Sequence, residues 1–547
     1  MPVTSPLRLS LLLPLLGSLL MTSIASCRKP PAFKGVNGPD TPATGDPSTT
    51  GPGAKDGKPG TTLPGPIPPL TLSLKRLEPV VFKGLLNKLA FIADADSNQL
   101  EGNSAFKLLL ANRYNLGDYD FARRSPGHSQ WEVTQMHLWM ESLVPYCTSQ
   151  SLKTKYGSDV GRFVAAALGR EAKPDETQLL NSKTKLASNK DTKFEGACIA
   201  YLSSLEFRNQ WSAAKPTVKD YLNTVAASLA LRPLLTAESK ADKSVESIIQ
   251  NWIESPRFIL SSRMYVEKLL RSSGSADGID FDLPGNLMTK IVTKKEPFSG
   301  ILTSNTCYDK DSKAIACDTK APYNAGVLTM RSFMQSHAGP FNISRAYFLL
   351  RTFTCLTYPI NSKLEPPLKQ ADLIPTFAQT DGQGFGGDNG NGTNCYSCHS
   401  QFGKHAQLFV KFDNKGFYVA EADGQQDPNP AVGSGYTSRL TYVSHMADQD
   451  SAASEESEYF GKPVSNLNDA AKALVADDTF LQCSIRKVLG HYLRMQDSDV
   501  TGIPSDLINS IKAEIKKENK DPSFQTIVLK SLSNPHVIKS FLENQEN

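Results

Sequence analysis

"NGTNCYSCHSQFGKHAQ", residues 391–407, is the stretch on which the reading of this chain turns. Cys395 and Cys398 stand three apart, and His399 follows directly. On a helix, residues three and four apart share a face. Two thiols spaced by one helical turn can add across the two vinyl groups of a porphyrin, and the next histidine is then carried under the ring to bind iron. That is the attachment pattern of a c-type haem. Cys395, Cys398 and His399 are therefore the expected cofactor-binding residues for one covalent haem c, with His399 as proximal metal ligand.

Three other chemistries compete for the segment. A zinc ion could draw on Cys395, Cys398 and His405 with His399 as fourth ligand, but adjacent Cys398 and His399 close a tetrahedron awkwardly. A thioredoxin-like pair needs a βαβ setting, which the flanking sequence does not offer. A plain Cys395–Cys398 disulfide leaves the histidine unused. Haem is the reading taken.

The iron's sixth position has several candidates. Met446 lies 47 residues after His399 (446 − 399), in the polar run "YVSHMADQD" beside His445, and is the first choice. His405 is the second, and an open position is the third. Met330, Met334, His337 and Met495 are further options, although buried methionines are usually core packing. Methionine–histidine ligation suits electron transfer, whereas a vacant position admits small-ligand chemistry.

Haem of this type is attached outside the cytoplasm, and the N-terminus agrees. Residues 1–26 carry one cation, Arg8, then the apolar run "LLLPLLGSLLMTSIAS", which is short and broken by Pro and Gly, as in an export signal. It ends Ile24-Ala25-Ser26-Cys27, a pattern similar to the lipobox of bacterial lipoproteins, so Cys27 is the expected lipidation site. An ordinary signal peptide with an incidental cysteine is the alternative. Arg28 replaces the aspartate that retains many such proteins at the inner membrane, which favours the outer membrane. Several acyl chains on one residue suffice for stable anchoring. Residues 27–72 are rich in Pro, Gly and Thr and lack the apolar surface to offset chain entropy, so a disordered tether is expected.

The remaining chain is long enough for several packed modules. No later segment approaches 18 uninterrupted apolar residues, so lipid is the only membrane attachment expected. A net charge of +4 over 547 residues, without a basic stripe, gives nucleic-acid binding no support.

Of the nine cysteines, setting aside Cys27, Cys395 and Cys398 leaves six, an even number suited to an oxidising compartment. Cys307 and Cys317 flank the short loop "YDKDSKAIA" and are the expected bridge. Spacing does not decide the pairing of Cys147, Cys198, Cys355 and Cys483.

The periodicity predicts an all-α protein. Apolar residues recur at three- and four-residue spacing over 75–93, 129–147, 157–171, 217–235, 244–260, 343–355 and 481–495. "QLFVKFDNKGFYVAE" (407–421) is the best hairpin candidate. Long loops are expected over 274–325, 357–394 and 422–458, the last two flanking the CxxCH segment. They divide the chain into an N-terminal helical module (73–273) and a C-terminal, cytochrome c-like helical module (274–547). Two motif matches fail on context. "GQGFGG" (382–387) has no strand before it, and "DADSNQLEGNSA" (94–105) lacks the glycine and terminal acid of a calcium loop.

Five patches around CxxCH resemble a family of exported bacterial proteins, common in planctomycetes and myxobacteria, built from successive domains of unknown function. They are "RFVAAALGREAKPDETQLL" (162–180), "SVESIIQNWIESPRFIL" (244–260), "AGVLTMRSFMQSHAGPFNISRAYFLLRTFTC" (325–355), "FLQCSIRKVLGHYLRM" (480–495) and "PSFQTIVLKSLSNPHVIKSF" (522–541), in the family's order. Of the family's run after CxxCH only "FD..G" is kept, and Ala346 replaces the glycine that follows the family's arginine, here Arg345. The resemblance implies haem and export and names no reaction. Two functions follow as expectations. One is an outer-membrane lipoprotein passing single electrons to a periplasmic redox partner. The other is a haem-dependent, peroxidase-like oxidoreductase with the helical module as substrate platform; a surface scaffold with a structural haem is a third possibility. No GxSxG, HExxH or P-loop motif is present to supply another chemistry.

Overall fold

The computed structural model describes residues 133–157, 159–168, 190–204, 216–231, 243–381, 394–424, 443–495 and 497–543, with isolated positions before and between them. The leader, Cys27, the 27–72 tether, most of 75–93 and the two failed motifs lie outside the described residues.

Regular structure is almost entirely helical. The first group is α1 (Val133–Cys147), α2 (Gln150–Tyr156), α3 (Val160–Leu168) and α4 (Lys190–Leu202). Their apolar faces meet in a core of Trp139, Tyr146, Phe163, Phe194 and Leu202. The Trp139 indole donates to Leu202 O at 3.0 Å, and a Cys147–Cys198 disulfide ties α1 to α4.

The larger core starts with α5 (Val218–Leu229), α6 (Val245–Ile253) and α7 (Pro256–Leu270). A capping box between Thr217 and Asp220 opens α5. Where the periodicity predicts one helix over 244–260, the chain forms two, because Pro256 has no N–H to continue the first and instead opens the second. A second difference concerns 274–325, expected to be loop: Leu283–Lys294 forms α8. Pro284 and Gly285 disguise it, yet Leu283, Leu287, Met288, Ile291 and Val292 give it a buried apolar face.

Then come α9 (Ile343–Phe353), α10 (Tyr396–Gln407), α11 (Leu467–Val475), α12 (Asp478–Tyr492), α13 (Ser505–Glu518), α14 (Phe524–Leu532) and α15 (Pro535–Glu543). The larger core draws on helices from both sides of residue 273. Phe524 of α14 packs on Phe258, Tyr265 and Phe298 with ring centroids 5.0–6.0 Å apart. Phe298 N–H donates to Pro522 O at 2.9 Å, the Gln525 amide donates to Val292 O at 2.7 Å, and the Tyr221 hydroxyl donates to Leu532 O.

The described strands form three two-stranded antiparallel ribbons: β1 (Ser275–Ala276) with β2 (Ile279–Asp280), β3 (Cys307–Tyr308) with β4 (Ala314–Ile315), and β5 (Ser457–Tyr459) with β6 (Lys462–Val464). A Cys307–Cys317 disulfide closes the second. The hairpin expected over 407–421 reduces to one bridge, Phe412–Tyr418, because the chain leaves α10 in consecutive turns, with Phe409 N–H donating to Ala406 O, Val410 N–H to Gln407 O and Phe412 N–H to Phe409 O. A third disulfide, Cys355–Cys483, joins the exit of α9 to α12.

Candidate functional site

The CxxCH segment opens α10. Cys395 sits at the N-cap position, and the Asn394 side chain accepts from Ser397 N–H at 3.2 Å. The Tyr396 N–H donates to Gln379 O at 3.0 Å and its hydroxyl to Leu368 O at 2.6 Å, so the preceding loop fixes the helix start. Cys398 falls one turn on from Cys395, and His399 N–H closes the first helical turn on Cys395 O at 3.0 Å.

The composition of α10 explains what holds the described parts of the flanking loops. Its buried side is polar: Ser400, Gln401, Lys404, His405 and Gln407 are all at most 3% exposed. Buried polar groups demand partners, and loop backbone supplies most of them. Gln401 exchanges hydrogen bonds with Ile360 N–H (2.6 Å) and O (3.0 Å) and donates to Glu365 O at 2.9 Å. Gln407 donates to Ser451 O at 2.8 Å and accepts from the Ser444 hydroxyl. Lys404 pairs with Glu458 and lies 3.6 Å from Glu365. One helix thus serves as the post to which segments 358–378, 443–447 and 451–458 are tied.

The six other described cysteines are all bridged, whereas Cys395 and Cys398 belong to no disulfide, the first being buried and the second half-buried. His399 lies flat on Phe377, with ring centroids 4.1 Å apart at 6°. Its Nδ1 is 3.2 Å from Nε2 of His445. Burial lowers the His399 pKa to about 4. Burial, reinforced by His399, holds His445 well below the ordinary histidine value. Both rings are therefore neutral, the form in which imidazole binds metal. Nδ1 of His445 is buried without a hydrogen-bond partner.

Of the sequence candidates for the sixth position, Met446 is half-buried and pairs through its backbone with Leu373. His405 is engaged elsewhere: its Nδ1 meets the Tyr358 hydroxyl at 2.6 Å and its Nε2 lies 3.4 Å from Glu365. Met330, Met334 and Met495 are core residues, and His337 stacks on Phe348 with centroids 3.5 Å apart. Phe377 and the contacts of His405 with Tyr358 and Glu365 carry no signal in the sequence. His445 is marked there only as the histidine next to Met446.

Among the described residues no group of three or more His, Cys, Asp and Glu side chains is arranged to hold a metal ion. The zinc reading in particular requires His405, which lies about 10 Å along the helix from Cys398 by α-helical rise. Two unbridged thiols one turn apart, followed by a neutral histidine, are consistent with a c-type haem attachment site and fit its donor chemistry. No helix among the described residues is long and apolar enough to cross a membrane. No protein-family model, curated protein or solved structure matches the chain.

Proposed function

We propose that the chain is an exported, lipid-anchored, c-type cytochrome-like protein that passes single electrons through one covalent haem to a periplasmic redox partner. The observation that carries this reading is the sorting of thiols: six described cysteines pair in three disulfides, and the two of CxxCH stay outside any disulfide at a helix start beside a neutral histidine. When bound, the haem supplies an iron that takes up and releases one electron. Cys395 and Cys398 would hold the macrocycle by thioethers, and His399 would hold the iron. Phe377 orients the His399 ring by stacking on it. The buried polar face of α10 anchors the surrounding loops, so the site sits on a rigid element, which favours electron exchange with little reorganisation. The leader and Cys27 support export and attachment to the outer membrane by lipid, and the ordered resemblance around CxxCH points the same way.

The test is to produce the full chain with a haem-maturation system and stain a denaturing gel for haem. Covalent haem that disappears in C395A/C398A is expected. A wild-type chain that leaves the maturation system without haem overturns the reading.

A further inference from the structure

We propose that His445 is the second imidazole that would hold the iron of a haem attached at Cys395, Cys398 and His399, a proposal that rests on the haem reading above. Four observations of the fold lead to it. First, two imidazoles face each other: His399 Nδ1 and His445 Nε2 are 3.2 Å apart. His445 is fully buried, that nitrogen has only another imidazole, and its Nδ1 has no partner. A buried ring so poorly supplied by protein calls for a further group, and a metal ion accepts what two imidazoles offer.

Second, the backbone around His445 is fixed. Ile374 N–H donates to His445 O at 2.9 Å, Ala447 N–H to Asp372 O at 2.9 Å, and Ser444 N–H to Gly424 O at 3.0 Å. A residue so held presents its side chain repeatedly in one direction.

Third, His445 and its neighbour Met446 differ in surroundings. The His445 ring is fully buried against His399, whereas Met446 is half-buried and pairs through its backbone with Leu373.

Fourth, α10 makes room for this approach. Gly403 is one turn beyond His399, and a Cβ built there would lie 3.2 Å from the His445 Cβ, with Leu368 and Leu373 equally close at 3.1 and 3.3 Å. The segment bearing His445 therefore rests against the helix where that helix has no side chain.

The full chain carrying covalent haem is compared with H445A, H445M and M446L by visible absorption, electron paramagnetic resonance and CO binding, with circular dichroism to confirm folding. Wild type and M446L are expected to be low-spin and unreactive to CO, without the red charge-transfer band of iron–thioether ligation. H445A is expected to turn high-spin and bind one CO per ferrous haem, a change from none to stoichiometric. H445M is expected to stay low-spin, gain the charge-transfer band and rise in midpoint potential; it decides the matter if H445A does not fold. A spectrum unchanged in H445A or H445M, or lost only in M446L, overturns the proposal while leaving covalent haem intact. Absence of covalent haem from the wild type overturns the haem reading itself and this assignment with it.

Discussion

The Tyr358 hydroxyl meets Nδ1 of His405 at 2.6 Å, tying the loop that follows α9 to the last turn of the CxxCH helix. Glu365 stands 3.4 Å from the other ring nitrogen and is itself fully buried. Burial, with Tyr459 and Glu365 nearby, holds the Tyr358 phenol well above its ordinary pKa, so it keeps its proton throughout the neutral range. Y358F keeps the ring on Phe402, 3.9 Å away, but leaves Nδ1 without its partner. We expect it to cost about 1–3 kcal/mol in denaturant unfolding. A variant as stable as wild type would show that the contact contributes nothing.

Arg345 is fully buried on α9, and its guanidinium donates to Met334 O (2.9 Å), the Asn342 side chain (2.9 Å), Phe412 O (2.8 Å) and Asp413 O. It thereby holds the turn after α10 against α9. Lysine has neither the planar fork nor the number of donors. R345M should lower unfolding stability by about 3 kcal/mol or more, and R345K should recover only part of the loss. Equal unfolding midpoints for R345K and wild type would refute the clamp.

Glu455 accepts from the Tyr323 and Tyr418 hydroxyls, the latter at 2.8 Å. Burial raises its pKa above the ordinary carboxylate value, although both hydrogen bonds and Lys411 pull it back. The folded protein therefore holds this proton more tightly than the unfolded chain does. Stability from this group is present below the unfolded pKa and is lost as pH rises through the folded one. E455Q, which does not ionise, should gain stability relative to wild type as pH rises from about 4 to 7. Unfolding curves across that range would show the difference growing; a difference that shrinks with pH contradicts the sign.

The Cys355–Cys483 bridge spans 128 residues and ties the exit of α9 to α12. Removing both sulfurs in C355A/C483A should cost about 2–5 kcal/mol through the freed unfolded chain. In the wild type made without haem maturation, thiol titration of the denatured, unreduced protein should count Cys395 and Cys398 as free, beyond any contribution from Cys27. After maturation those two should vanish from the count. Persistence of both alongside bound haem would mean the attachment is not through thioethers.

What the sequence disclosed, it disclosed through periodicity and local chemistry. Apolar spacing located α1, α5, α9 and α12 because those helices bury a single stripe. It merged α6 with α7 across Pro256, since the stripe continues through the break even though the backbone does not. It passed over α8, where Pro284 and Gly285 read as punctuation. The CxxCH motif announced itself by spacing. Its surroundings did not, because α10 is buried by polar side chains, a pattern that hydrophobic spacing cannot register. His445 lies 46 residues from His399 (445 − 399), and it is the tertiary pairing of its segment with Asp372, Ile374 and Gly424 that brings it there.

The stitching of α14 to the middle of the chain bears on how this protein is made. Tyr221, Phe258, Tyr265, Val292 and Phe298 find their final neighbours in residues 522–532. A chain delivered N-terminus first reaches Pro522 only 224 residues after Phe298 (522 − 298), so that apolar surface closes late. Until then it stays open to other apolar partners, the kind of surface that chaperones recognise. On the haem reading, the same delay leaves Cys395 and Cys398 within reach of a cofactor-loading enzyme before the core has closed.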